Sequence, residues 1–337
     1  MNLIIPMAGR GSRLRPHTLT VPKPLLKVAG KPIVQRLAED LTASLSEPVE
    51  KIAFVIGDFG EGVVEELQAV AERLGAEGVV VTQDQPLGTA HAILCAKELL
   101  EGPTMIAFAD TLFRADFNFD TSVDGIIWAQ EVDDPSAFGV LKLDDDGVIT
   151  DFVEKPTEYV SNLAIVGIYF VGDGAALRRE LEYLIDNDIK DKGEYQLTNA
   201  LEALKAKGTK FRPGKVDEWL DCGNKRAVVH THARVLAIKA EAGEETLVDP
   251  SAEVTDSVLL EPCYIGKGAK ISNSVVGPYV SLGEGSTIED SLVSHTIIQD
   301  DTHVAGANVT NSMIGSKSTY RGTAQDVSVG DFSEVEA

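Results

Sequence analysis

Gly9-Arg10-Gly11-Ser12-Arg13 directly follows the apolar run Leu3–Met7. Glycines let backbone N–H groups approach a phosphate closely, and the Arg13 guanidinium offers a fork of donors matched to phosphate oxygens. Further on, Lys23 lies between Pro22 and Pro24, which restrict the backbone and so fix where its ammonium points. The first 38 residues contain no acid and seven bases, whereas the whole chain carries a formal charge of −23. A cationic glycine loop in so acidic a chain suits a polyanion, and a nucleoside triphosphate is the polyanion expected. The loop lacks the Gly-Lys-Ser/Thr ending of a Walker A motif and the third glycine of a dinucleotide fingerprint.

The charge balance and a pI near 4.6 argue against non-specific binding to nucleic acid or anionic membrane. A solvated acidic surface is the ordinary reading of that composition, and a salt-adapted source is the alternative. With 44% hydrophobic residues in 337, the chain is long enough for about two cored domains. No apolar run approaches the roughly 18 residues of a membrane span. No basic n-region or cleavage site precedes the first strand, and the three cysteines are scattered without metal-type spacing. A cytoplasmic location is the expectation.

The elements that must position the loop emerge from periodicity. Strands are expected at Leu3–Met7, Lys51–Gly57, Val79–Thr82 and Thr104–Asp110, with helices at Ile33–Leu45, Glu61–Leu74 and Ala90–Leu100 between them. Such alternation implies crossover units and a mainly parallel sheet. Ligands of such sheets sit beyond the carboxyl ends of the strands, so Ala8–Arg13, Gln83–Thr89 and Asp110–Phe113 should converge on one crevice. Residues 126–171 read as antiparallel, with a hairpin of Val140–Leu143 and Val148–Phe152 about the turn Asp144–Gly147. That acidic run is read as a turn and not a metal site. A strand is expected at Leu163–Val171, then helices at Gly174–Ile185, Leu197–Lys207 and Lys225–Ala242.

Beyond Gly243-Glu244-Glu245 the texture changes, giving expected domains of 1–242 and 243–337. Ile265, Ile271, Val276, Leu282, Ile288, Val293, Ile298, Val304, Val309 and Ile314 recur every five or six residues. Asp256-Ser257-Val258, Asn273-Ser274-Val275 and Asp290-Ser291-Leu292 repeat at 17 residues, and Asn311-Ser312-Met313 reads as a fourth copy after a longer step. This is the pattern of a parallel β-helix, in which each coil buries its aliphatics against the next. Flat faces and open edges make a homo-oligomer the expectation.

Gly-x-Gly-Ser-Arg with Pro16 and Thr18, and then Pro22-Lys23-Pro24-Leu25, resembles the signature of the sugar-1-phosphate nucleotidylyltransferases. In order along the chain, Pro86–Ala90, Phe108-Ala109-Asp110, Phe138-Gly139-Val140, Val153–Pro156, Gly193–Thr198 and Trp219–Gly223 are similar to later motifs of that family. The resemblance covers about the first 240 residues. It implies a Rossmann-like α/β nucleotidyltransferase domain with a mixed, mainly parallel sheet, joined to a C-terminal left-handed parallel β-helix. It also implies Mg²⁺ held by Asp110 and Asp221, with Arg13 and Lys23 as the catalytic cations. Gly9, Gly11, Ser12, Gln83, Gly88 and Thr89 would bind the nucleotide, and Gly139, Glu154, Lys155 and Asn162 the sugar phosphate.

In the implied reaction the sugar phosphate attacks the α-phosphorus in line and pyrophosphate leaves. A phosphate monoester has its second pKa near ~6, so the nucleophile needs no strong base. What it needs is charge neutralisation and alignment. Arg10 and Arg15 are read as solvated helpers. Lys27, which stands where many relatives have proline, is given no role, and His91 and Trp219 are read as structural. Ala109 replaces a common glycine and Asn224 a frequent threonine.

The expected substrates are dTTP and glucose 1-phosphate, with UTP- or GTP-dependent pyrophosphorylases as alternatives. A non-catalytic regulatory subunit and an acyltransferase tail using His295 or His303 are the competing classes.

Overall fold

The structure is a computed structural model and describes residues 1–9, 11–115, 119–243, 245–323 and 328–332. Arg10 and Glu244 lie outside the described residues. The chain divides into two compact units. One comprises Met1–Leu26 and Lys31–Ala227, the other Lys27–Gly30 and Val228–Ala337.

The first unit is a mixed sheet flanked by helices. In chain order the elements up to residue 242, of which β2 and α6 beyond Ala227 belong to the second unit, are β1 (Asn2–Pro6), the two-residue strands β2 (Lys27–Val28) and β3 (Lys31–Pro32), α1 (Ile33–Ser44), β4 (Lys51–Ile56), α2 (Val63–Arg73), β5 (Glu77–Thr82) and α3 (Thr89–Cys95). Next come β6 (Thr104–Ala107), β7 (Thr111–Arg114), β8 (Gly125–Glu131), β9 (Gly139–Leu143), β10 (Ile149–Glu154), β11 (Leu163–Val171), α4 (Gly174–Asp186), α5 (Leu197–Ala206), β12 (Phe211–Lys215), β13 (Glu218–Asp221) and α6 (Lys225–Ala242).

The sheet runs β10-β9-β11-β6-β1-β4-β5, with β8 pairing both β11 and β12. The strands β6, β1, β4 and β5 are parallel, and β11 turns the sheet antiparallel at β6. The central parallel strands are nearly all apolar because helices cover both faces, so burial does not alternate along them. In α1, Ile33, Val34, Leu37, Ala38 and Leu41 are buried, the i, i+3/i+4 stripe of a helix packed on one face. Asp173 caps α4 by accepting from Ala176 N at 2.8 Å.

The strand expected over Thr104–Asp110 stops three residues early, and a second strand follows it directly. β6 ends at Ala107, the backbone reverses through Ala109 and Asp110, and β7 leaves in a separate two-stranded sheet with β13. Phe108 N donating to Gly167 O and Ala109 N donating to Pro6 O fix that reversal. The Asp144–Gly147 segment is a turn, with Asp144 Oδ1 accepting from the backbone N–H groups of Asp146 and Val148.

The second unit is a left-handed parallel β-helix. One face stacks Glu253–Thr255, Lys270–Ser272, Thr287–Glu289, His303–Ala305 and Thr319–Arg321 in parallel, and two four-stranded faces complete the coils. The ten aliphatic positions point inward, with Ile265 through Val309 buried and Ile314 packed against them. The coils turn at left-handed corners stacked in three columns. Asp256, Asn273, Asp290 and Gly306 have positive φ and form one column, Tyr279, His295 and Asn311 a second, and Gly268, Gly285, Asp301 and Lys317 a third. Asx and Gly suit corners because they tolerate that region better than other residues.

These columns correct the phasing of the repeat. Leu292 pairs with Asn308, so Gly306-Ala307-Asn308 continues the Asp290-Ser291-Leu292 column. Met313 pairs with Ile297, so Asn311-Ser312-Met313 belongs to the corner of His295. The coil shortens there from 17 to 16 residues, as the steps Ile271↔Ile288 and Ile288↔Val304 show. The two tail histidines have structural partners: His303 Nδ1 lies 2.6 Å from Thr287 Oγ1, and the His295 ring packs on Tyr279.

The segment Lys27–Gly30 packs within this second unit. Lys27 Nζ pairs with Asp300 Oδ2 at 2.6 Å, and Gln299 Nε2 donates to Lys27 O. Burial works against the Lys27 charge, but the hydrogen bond and charge of Asp300, with the charges of Glu284 and Tyr264, together outweigh it and raise the pKa. Gly30, at φ +85, leaves no room for a Cβ, which would fall 2.3 Å from the Tyr264 ring.

Candidate active site

The parallel strands end together, and the loops at their carboxyl ends line one cleft of about 820 Å³. Met7–Gly9 after β1, Gly57–Phe59 after β4, Gln83 and Asp84 after β5, and Phe108–Asp110 after β6 all contribute. Three of the segments expected to converge are therefore represented in a single crevice of the first unit.

The loop after β1 is shaped by Gly11, whose φ of +62 and close neighbour exclude a side chain. A Cβ there would meet Lys23 Cβ at 2.7 Å. Gly11 O accepts from Leu14 N and from Thr18 Oγ1, which closes the turn over the buried Leu14. Lys23 comes after Pro22 in a short 3₁₀ turn and is buried at 8% exposure. Its Nζ reaches Asp110 Oδ2 at 3.0 Å. Arg15 and Lys23 line the cleft, whereas Arg13 and Ser12 are largely solvent-facing.

Pairing of β13 with β7 sets the second carboxylate beside the first. Asp221 lies opposite Thr111, and Cys222 N donates to Asp110 O at 2.9 Å. Burial and then the charge of Asp110 push the Asp221 carboxyl above its ordinary pKa, opposed by the Gly223 N–H and by Lys23 and Arg13. Two carboxylates that repel each other beside a lysine and an arginine form a site that favours added positive charge. Among the described residues no third His, Cys, Asp or Glu joins them.

Farther along the sheet, Gly139 starts β9 and faces Glu154 at the end of β10, whose Oε2 would lie 3.1 Å from a Cβ. Lys155 has a φ of +43, and its Nζ lies 3.2 Å from Glu154 Oε1. Asn162 is exposed, and its carbonyl accepts from Val132 N. Two residues were not singled out by sequence. Lys192 Nζ donates to Glu154 O at 3.1 Å and Lys155 O at 2.6 Å, holding that turn. Tyr169 is buried, and its hydroxyl pKa is raised by burial first and then by the charges of Glu154 and Asp110. It therefore lies within the field of both carboxylates. The signal for Lys192 was a base directly before Gly193–Thr198; Tyr169 sits inside an apolar strand and carried none.

On the opposite side, Gly88 at φ +118 packs its backbone against Tyr195, whose O would lie 2.4 Å from a Cβ. Ala90 N donates to Tyr195 O and Tyr195 N to Leu87 O, so the two loops are sewn together. Thr89 contributes to that seam: its hydroxyl donates to Gln196 Oε1 and accepts from Leu197 N. Gln83 Nε2 lies 3.1 Å from Gly88 O and 3.0 Å from His91 Nδ1. Trp219 packs edge-on against Phe138 at 4.8 Å.

The family model described as "Nucleotidyl transferase" matches residues 3–237. A glucose-1-phosphate thymidylyltransferase of Streptomyces antibioticus is 30% identical over an alignment 363 positions long, covering 100% of this chain and 99% of that protein. The low-salt glycan biosynthesis nucleotidyltransferase of Haloferax volcanii is 29% identical, covering 97% of this chain and 95% of its own. Among solved structures, a UDP-glucose pyrophosphorylase complexed with UDP-glucose superposes with a TM-score of 0.59 at 24% identity. It covers 70% of this chain and 98% of that one, a likeness of fold.

Proposed function

The chain belongs to the nucleotidyl transferase family and is a sugar-1-phosphate nucleotidyltransferase; from that premise we propose that it transfers a thymidylyl group from dTTP to glucose 1-phosphate and releases pyrophosphate. The observation that carries the reading is the pair Asp110 and Asp221, with Lys23 bonded to the first at the mouth of the β1 loop. The choice of thymidylyl and glucosyl substrates is supported by the full-length similarity to the Streptomyces antibioticus protein.

The donor set suits Mg²⁺, a hard cation commonly held by one or two carboxylates with the remaining positions left to phosphate oxygens and water. Asp110 and Asp221 would hold it, and when bound it would supply positive charge against the phosphates. Lys23, shielded from solvent, steadies the α-phosphate, and Arg13 neutralises the departing pyrophosphate. Gly9, Gly11 and Ser12 lay backbone N–H groups along the triphosphate. Lys155 binds the sugar phosphate, while Glu154, the Gly139 backbone and Asn162 bind sugar hydroxyls. Gln83 and Gly88 face the base; Thr89 serves them by fixing the loop. The sugar phosphate is ionised at neutral pH, so positioning replaces a general base.

The catalytic domain is assigned to residues 1–242 and the repeat domain to 243–337, although Val228–Ala242 packs with the second unit. The β-helix is assigned to self-association of the full chain. Its outward column Val258–Val275–Leu292 leaves Val258 and Leu292 about half exposed, as a face that pairs with another copy would be. Pyrophosphate release from dTTP, UTP and GTP against a panel of sugar 1-phosphates tests the reaction. No turnover with any pair overturns it.

A further inference from the structure

Resting on the reading that Gln83 faces the nucleobase, we infer that His91 is a positioning residue that fixes which hydrogen-bonding group Gln83 presents to the base. Gln83 Nε2 is within hydrogen-bond distance of both Gly88 O and His91 Nδ1, at 3.1 and 3.0 Å. A backbone carbonyl only accepts, so the amide atom beside Gly88 O is the nitrogen. Gly88 O thus identifies the nitrogen, and an accepting His91 Nδ1 beside it adds a second restraint in the same sense, because a turned amide would set its oxygen against both acceptors.

The same NH₂ then turns its second hydrogen to His91. Nδ1 must carry a lone pair, and the ring proton must sit on Nε2. Burial lowers the His91 pKa against the opposing charge of Asp84, which favours the neutral ring at neutral pH. Both amide hydrogens are thus engaged. Gln83 Oε1 has no hydrogen-bond partner among the described residues, and Gln83 lines the cleft.

The cleft consequently offers the base an acceptor. Thymine and uracil answer it with N3–H, and guanine with N1–H. Cytosine presents a bare N3 and adenine a bare N1, so an Oε1 aimed at that ring position meets a lone pair, and their neighbouring amino groups answer it only if the base shifts. Such a mismatch in a site built for one hydrogen bond lowers affinity ~10-fold or more. His91 thereby sorts bases with a ring N–H from those without, through Gln83 and without touching the nucleotide.

Equilibrium binding of dTTP and dCTP to the full chain tests the inference. The wild type should prefer dTTP by ~10-fold or more. His91→Phe keeps an aromatic ring but lacks an acceptor, removes one of the two groups that hold the amide, and should shrink the dTTP:dCTP ratio at least ~3-fold, an order-of-magnitude expectation for one lost restraint. His91→Asn places Oδ1 where Nδ1 stood and should restore the ratio. A structural role alone would weaken both nucleotides equally, so an unchanged ratio in His91→Phe overturns the inference, as does a wild type without preference.

Nitrogen chemical shifts of His91 in the wild type provide a reading that needs no variant. The Nε2–H tautomer at pH 7.5 is expected, and an Nδ1–H or doubly protonated ring overturns the inference. Binding is measured without turnover. Selective dTTP binding lost in His91→Phe, without pyrophosphate release, would count against the proposed reaction and in favour of this role.

Discussion

Of the seven bases in the first 38 residues, only some face the proposed phosphate site. Lys27 pairs with Asp300 and Lys31 with Glu39, and Arg36 is fully buried. Arg15 and Lys23 line the cleft, and Arg13 acts on Asp221 through its charge. A count of charges locates a basic segment, but it cannot say which bases are paired within the fold, because their partners lie up to 273 residues away. The motif resemblance separated Arg13 and Lys23 from the rest, and Arg15 needed the structure. Removing Lys23 would leave Asp110 and Asp221 facing each other without their nearest cation. Lys23→Met should reduce kcat/KM by ~10²–10³-fold, about 3–4 kcal/mol of transition-state stabilisation. Steady-state kinetics, with thermal unfolding to show that the fold survives, measures this; a loss below tenfold would remove Lys23 from the proposed chemistry.

At the scale of elements, the crossover half was legible because continuous apolar runs alternate with amphipathic helices. β12 and β13 were not. Phe211–Lys215 carries Pro213 and Gly214, which argue against a strand by sequence, yet it pairs along its length with β8. The reversal at Asp110 was hidden for a different reason. Backbone bonds from Phe108 and Ala109 to Gly167 and Pro6 determine it, and no local residue signals them. The seam between Leu87–Ala90 and Tyr195–Leu197 is equally non-local. Gly88 is the position where that seam is most sensitive, since a Cβ would press on the Tyr195 backbone at positive φ. Gly88→Ala should destabilise the chain by about 2 kcal/mol or more and weaken nucleotide binding more than sugar-phosphate binding. Denaturant unfolding and separate KM values for the two substrates would show it, and a neutral effect on both would contradict the packing described.

At the scale of the molecule, aliphatic spacing exposed the β-helix, but the polar triplets misled about its last coils. A 16-residue step moves Asn311 to a different corner, and only strand pairing reveals which corner a given Asx occupies. Because each coil is stabilised by its neighbours, truncating a central rung should be costly. Ile288 is fully buried, and Ile288→Ala should cost about 2–5 kcal/mol by denaturant unfolding. Cys263 reports on the same core: burial pushes its thiol up to about 11, so at pH 8 it should resist alkylation until the unit unfolds. Rapid labelling of Cys263 in the native chain would contradict that packing. Light scattering of the full chain should give a multiple of 36.1 kDa, and a monomer would contradict the proposed self-association. The most direct test of the whole account is pyrophosphate release from dTTP and glucose 1-phosphate with Mg²⁺, comparing wild type with Asp110→Asn. The account predicts turnover by the wild type and a loss of ~100-fold or more in a folded variant, whereas equal rates in the two would contradict it.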